Sequence, residues 1–223
     1  MHKSLQNFNL VRNKVSKIIE QKQLKTNPKI IVVSKTFPLN KIIPFIDDGH
    51  IHFGENKVQE AENKWNEIIN ANKSLKLHMI GKLQSNKAKK AVKLFDFIHS
   101  LDNANLASKI AKYEKELNKR VSLFIQVNLA EENHKSGISL KNLKNFYNFC
   151  VKELSLNIIG LMCLPPNDLD SDKYFKDLKK LSDQLNLKDL SMGMSADFEK
   201  AVANGSTYLR LGTSILGKRK LMD

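Results

Sequence analysis

At 223 residues, 41% of them hydrophobic, the chain is long enough to bury one continuous core, and no Pro/Gly/Ser-rich linker divides it, so residues 1–223 are expected to form one domain. The net charge of +14 is carried almost wholly by lysine. Its densest run (Lys82, Lys87, Lys89, Lys90, Lys93) follows helical spacing without interleaved aromatics, which predicts a solvated helix face and no specific nucleic-acid partner. No apolar run is long enough to span a membrane, the N-terminus is too polar for a signal peptide, and Cys150 and Cys163 are too few for a disulfide framework or a zinc site; a cytoplasmic protein with buried thiols is expected.

The chain opens with an amphipathic helix over residues 5–20, with Val11, Val15, Ile18 and Ile19 on one face. Ile30-Ile31-Val32-Val33 is then a β-branched apolar run that predicts a buried parallel strand over 30–34, with Lys35 standing where the strand runs out. From there strand and helix alternate. Further strands are predicted over 51–53, 76–80, 97–100, 121–128, 157–163, 190–192 and 207–211. The intervening helices are predicted near 40–47, 57–69, 86–94, 103–118, 140–154, 173–185 and 196–203; Pro44 makes the first of these short or kinked. Eight strands joined by helices in a chain of this length predict an α/β fold, a (β/α)8 TIM-type barrel with an extra N-terminal helix. The open doubly wound sheet is the alternative, but no Gly-rich dinucleotide turn follows the first strand.

In such a barrel the chemistry sits in the loops that follow the strands. Lys35 follows the first, Gly54-Glu55-Asn56 the second, residues 81–87 the third, Gly193-Met194-Ser195 the seventh and Gly212-Thr213-Ser214 the eighth. The last two turns occupy the positions where these barrels commonly hold a phosphate, and Ser195 is expected to open the next helix. Ordinary capping and tight-turn roles are the plainer reading of Ser195 and Gly212 taken singly. A strand-end lysine facing a phosphate cradle is what pyridoxal phosphate requires, an amine for the aldehyde and an anion site for the tail.

Other constellations carry less. His50 and His52 share a strand face but lack a third metal ligand, so no metal is expected. Cys163 has no partner base and reads as a buried thiol. No nucleophile elbow, Walker or dinucleotide glycine pattern is present.

The stretches Val32-Val33-Ser34-Lys35-Thr36, 53–60 (FGENKVQE), 78–87 (HMIGKLQSNK), Ser136-Gly137, Gly160-Leu161-Met162, 190–195 (LSMGMS) and Arg210-Leu211-Gly212-Thr213 resemble, in order and spacing, the pyridoxal phosphate homeostasis protein family, single-domain relatives of the alanine racemase barrel. Lys82 and Lys57 depart from the proline and aromatic common in that family. The resemblance implies that Lys35 carries the cofactor as a Schiff base, that Ser195, Gly212 and Thr213 hold the phosphate, that Arg210 approaches the pyridine nitrogen and that Asn56 lies near the cofactor.

A guanidinium beside the ring nitrogen makes a shallow electron sink. The racemase's tyrosine base comes from a second domain, whereas Tyr113, Tyr147, Tyr174 and Tyr208 fall on helices or inside the last strand. The expected function is therefore that of a monomeric carrier in pyridoxal phosphate supply, with amino acids and apo-enzymes as further partners and no catalytic residues of its own. A racemase or decarboxylase is the alternative.

Overall fold

A computed structural model describes residues 2–132, 135–166 and 170–218. Eight parallel strands close into a barrel in sequence order: β1 (Lys29–Val33), β2 (His52–Glu55), β3 (Lys76–Met79), β4 (Phe97–Leu101), β5 (Ser122–Gln126), β6 (Ile158–Met162), β7 (Asp189–Ser191) and β8 (Tyr208–Leu211). Closure is made by β1 against β8, with Ile30 opposite Leu209 and Val32 opposite Leu211, which leaves no edge strand. The helices are α1 (Lys3–Gln21), α2 (Ile43–Asp47), α3 (Val58–Ala71), α4 (Ala88–Leu94), α5 (Ala104–Glu116), α6 (Leu140–Asn148), α7 (Ser171–Gln184), α8 (Phe198–Ala203) and α9 (Thr213–Leu216).

This is the predicted TIM-type barrel with its added N-terminal helix. Buried Phe8, Val11 and Val15 of α1 recur at helical spacing, and Asn7 donates to the Ile215 carbonyl at 3.1 Å, fastening α1 beside α9. Pro44 lies in the first turn of the five-residue α2, where its missing N–H has no helical partner to lose. The helix expected over 140–154 divides into α6 and a π-helical turn, Phe149–Glu153. α9 was not foreseen, since four residues are too few to show a helical period.

The outward strand faces and the helices build the main core, with Phe45, Phe53, Trp65 and Phe175 fully buried in it. A separate cluster of Ile31, Phe124, Met162 and Tyr208 fills the barrel interior. On β1 the alternation is strict: Ile31 belongs to that inner cluster, and Val33 and Lys35 line one cavity above it, as the two-residue period of a strand requires. Gly54 makes room for this packing, because a Cβ there would lie 2.8 Å from Ile31 Cγ2. β2 runs on to Glu55, so Gly54 and Glu55 belong to the strand and not, as expected, to the loop after it.

Candidate functional site

At the C-terminal mouth of the barrel lies a cavity of about 340 Å³. Lys35, Asn56, Ser195, Arg210, Gly212 and Thr213 all line it, with Val33, Ile80, Leu164 and Met194 as apolar walls. The structure thus brings the six residues singled out in the sequence to one place from four different loops and strands. The cavity adjoins a second of about 460 Å³ that shares Asn56, Ile80, Leu164 and Met194 and has a polar rim of Lys82, Gln126, Asn128 and Lys135. Asn56 is held by Gly81, where any Cβ would fall 2.4 Å from the Asn56 carbonyl oxygen; only glycine permits that approach.

Both neighbours of Lys35 are clamped. The Ser34 hydroxyl donates to Glu55 Oε1 at 2.8 Å, and the Ser34 carbonyl accepts from Lys64 Nζ at 2.8 Å. The Thr36 amide donates to Glu60 Oε1 at 2.5 Å. Thr36 has φ of 64°, a left-handed conformation that a β-branched residue adopts only under constraint. Glu55 is fully buried, and its Oε1 also accepts from Lys64 Nζ and from Trp65 Nε1, each at 2.9 Å. Lys64 bridges Glu55 and Glu60. Burial raises the Glu60 carboxyl, but the Thr36 amide and the Lys64 ammonium outweigh it and hold Glu60 below its ordinary value. Sequence reading missed this clamp; its one local signal is the i, i+4 spacing of Glu60 and Lys64.

On the opposite wall Ser195 does not open α8, which begins at Phe198 after Asp197. The Asp197 carboxylate accepts from the Met194 amide at 2.6 Å and so keeps residues 194–197 in a turn. Ser195 instead meets Ser214: its hydroxyl lies 3.0 Å from Ser214 Oγ and accepts from the Ser214 amide at 3.1 Å. The two turns after β7 and β8 are therefore joined, with Gly212 and Thr213 at the start of α9 beside them.

Arg210 reaches the cavity from β8 and is 4% exposed. It donates to Ser191 Oγ at 2.6 Å and to the Cys163 carbonyl at 2.9 Å. Burial draws the guanidinium below its ordinary value while Cys163 and Asp197 act the other way; a guanidinium stays charged under such shifts. Burial pushes both thiols, Cys150 and Cys163, up to about 12, so they are inert core groups. His50 faces the His52 carbonyl at 2.8 Å, and among the described residues no group of three or more His, Cys, Asp or Glu is arranged so that it could hold a metal ion. In the basic run Lys89 pairs with Glu116 and Lys90 with Glu62, as a solvated helix face does. No helix among the described residues is long and apolar enough to cross a membrane.

Residues 10–220 match the family of the alanine racemase N-terminal domain. A pyridoxal phosphate homeostasis protein of Aquifex aeolicus (strain VF5) is 38% identical over 201 residues, 86% of this chain and 87% of that protein. The chain belongs to the pyridoxal phosphate homeostasis protein family. The family expected from the motifs is thus the one found. Among solved structures, PipY of Synechococcus elongatus PCC7942 with PLP bound is similar to this family member at a TM-score of 0.78 and 34% identity, covering 91% of this chain and 100% of that one. Alanine racemase of Clostridium difficile 630 shares the barrel at a TM-score of 0.71 and 12% identity, over 99% of this chain and 57% of that one; at that identity the likeness is one of fold alone.

Proposed function

We propose that the cavity at the barrel mouth holds pyridoxal 5'-phosphate and that the protein serves the intracellular supply of this cofactor, as a monomeric carrier in the cytoplasm, without turning over amino acids itself. The observation that carries the reading is the convergence of Lys35, Arg210 and the Ser195 and Thr213 hydroxyls on one cavity of about 340 Å³, within the range of small-cofactor sites. The donor set fits the group. Ser195 and Thr213, with Gly212 at the start of α9, offer hydroxyl and backbone donors for a phosphate; Arg210 offers a permanent donor to a ring nitrogen; Lys35 offers the amine.

The cofactor would supply an electrophilic aldehyde, captured by Lys35 as a Schiff base. The Arg210 guanidinium donates hydrogen bonds without releasing a proton and so keeps a facing nitrogen unprotonated. The clamp on Ser34 and Thr36 fixes the backbone on either side of Lys35, so its amine approaches from one direction. The adjoining cavity of about 460 Å³ gives an incoming amino acid or recipient protein access to the same wall. Among the described residues none of the four tyrosines lines either cavity, and the carboxylate on the rim, Glu132, is paired with Lys135. With no tyrosine among the described lining residues to serve as the second proton-transfer group, capture by Lys35 supports a carrier over a racemase or decarboxylase.

The phosphate half of the reading is tested by the double variant Ser195→Ala, Thr213→Ala. Hydrogen bonds to a charged partner contribute about 1.5 to 3 kcal/mol each, so cofactor retention should weaken by a factor on the order of a hundred or more. Pyridoxal lacking the phosphate should bind the parent protein comparably poorly and be indifferent to the two substitutions. Equal affinity of the parent for pyridoxal and its phosphate would place the anion site elsewhere.

A further inference from the structure

Beneath Arg210 a line of polar side chains crosses the barrel. Arg210 Nη1 donates to Ser191 Oγ at 2.6 Å; Ser191 Oγ lies 2.7 Å from His99 Nδ1; His99 Nε2 lies 3.0 Å from His78 Nδ1; His78 Nε2 lies 3.0 Å from His52 Nδ1. The five residues come from β8, β7, β4, β3 and β2. Arg210, Ser191, His99 and His78 are buried, while His52, the first residue of β2, is half-buried at the opposite end of the barrel from the cavity. Apolar rings hold the imidazoles in place: His99 stacks on Phe124 and His78 on Phe97, both at 4.3 Å between centroids.

The proton positions follow from one end of this line. A guanidinium only donates. Ser191 Oγ accepts from Arg210, and its fully buried hydroxyl hydrogen is satisfied by turning to His99 Nδ1, its other partner. His99 then carries its proton on Nε2 and donates to His78, which donates from Nε2 to His52, whose Nε2–H points out of the line. Every ring in that arrangement is neutral. Burial favours neutrality throughout, and the cations around the line add to it: Arg210 beside His99, Lys29 of β1 beside His78 and His52, and Lys76 of β3 beside His52. The remaining charged or titratable neighbours are themselves engaged. Lys29 donates to the Tyr208 hydroxyl at 3.0 Å, Lys76 lies 3.8 Å from Asp96, and His50, flanked by Arg12 and Asp48, contacts the His52 carbonyl.

We propose that Ser191, His99, His78 and His52 are positioning residues for Arg210, a one-way hydrogen-bond chain that holds the guanidinium as a fixed donor toward the cofactor ring and ends there without delivering a proton. Reversing the chain would have Ser191 Oγ accept from both Arg210 and His99 and turn its buried hydroxyl hydrogen away from both of these partners. The barrel interior therefore keeps a facing ring nitrogen unprotonated from below as well as from beside. The inference rests on the assignment of Arg210 as the ring partner, made above.

Two measurements separate it from that assignment. The first uses the cofactor-free protein with 15N-labelled histidine, in which NMR reads the tautomer of each ring. His52, His78 and His99 should all be neutral and protonated on Nε2 at pH 7; an Nδ1–H tautomer or a cationic ring at His78 or His99 overturns the chain. The second uses the protein loaded with pyridoxal phosphate and the variants His99→Leu and His99→Gln. Leucine removes both hydrogen bonds, whereas glutamine keeps an acceptor for Ser191 and a donor for His78. His99→Leu should retain the cofactor about tenfold less tightly, and its absorption band should shift with pH between about 6 and 9, where a protonatable nitrogen titrates. His99→Gln should restore the pH-independent band. An unchanged band and affinity in His99→Leu overturns the positioning role even if the tautomers are as stated. Failure of the parent protein to bind the cofactor overturns the Arg210 assignment and leaves the direction of the chain to the first measurement.

Discussion

Replacing Lys35 with alanine is expected to give a folded protein that no longer captures pyridoxal phosphate covalently. Lys35 sits two residues beyond the end of β1, half-buried on a cavity wall, and contributes no apolar surface to either core cluster. Its loss should therefore move the melting temperature by only a few degrees. Borohydride reduction of the parent protein in the presence of the cofactor, followed by peptide mapping, should place the pyridoxyl group on the peptide carrying Lys35, and Lys35→Ala should carry none. With 32 other lysines in the chain, many amines are open to chance labelling, so a single labelled position is a demanding outcome. A label on another lysine, or an undiminished label in the variant, would contradict the assignment.

Removing Glu55 should have the largest effect on stability. Glu55 is fully buried and takes hydrogen bonds from the Ser34 hydroxyl, the Lys64 ammonium and the Trp65 indole on one oxygen. In Glu55→Ala these three donors lose this acceptor together, and the Lys64 ammonium, its side chain 11% exposed, is left with Glu60 and the Ser34 carbonyl as partners. Breaking a buried pair from one side costs about 3 to 5 kcal/mol, which for a chain of this size corresponds to a melting temperature lower by roughly 6 to 20 °C. Glu55→Gln keeps an acceptor oxygen but not the charge, and should lose about half as much. Because the same carboxylate anchors Ser34, both variants should also hold the cofactor less tightly, with alanine the weaker. A melting temperature for Glu55→Ala within about 2 °C of the parent would show that the cluster contributes little.

Much of the fold was legible in the sequence because its signals are local. The β-branched run 30–33, the regular alternation of strand and helix, and Pro44 at a helix start each report on a short stretch, and the loops that follow barrel strands converge whatever their sequence. The position of Lys35 at the end of the first strand was legible for that reason, whereas Arg210, inside β8, was singled out by the resemblance to the family. The clamp on Lys35 was not, since Ser34, Glu55 and Lys64 come together only once β1 pairs with β2 and α3 folds back over them. The histidine line was hidden more thoroughly: His52, His78 and His99 sit on three successive strands, and only the register, which sets Gly54 beside His78 and His78 beside Phe97, turns three scattered imidazoles into a chain. Ser195 was misplaced at a helix start because Asp197, two residues on, competes for the same capping position and organises the turn.

The central claim, that the protein holds its cofactor without turning over amino acids, is tested most directly by incubating the loaded protein with each common L- and D-amino acid in deuterated buffer and following α-proton exchange, product formation and cofactor release together. The arrangement of Lys35, Arg210 and the phosphate-side hydroxyls predicts cofactor release to a recipient apo-enzyme while the amino acid keeps its α-proton. Exchange, racemisation or decarboxylation at ordinary enzyme rates, about one to a thousand turnovers per second, would contradict it and make the protein an amino-acid racemase or decarboxylase.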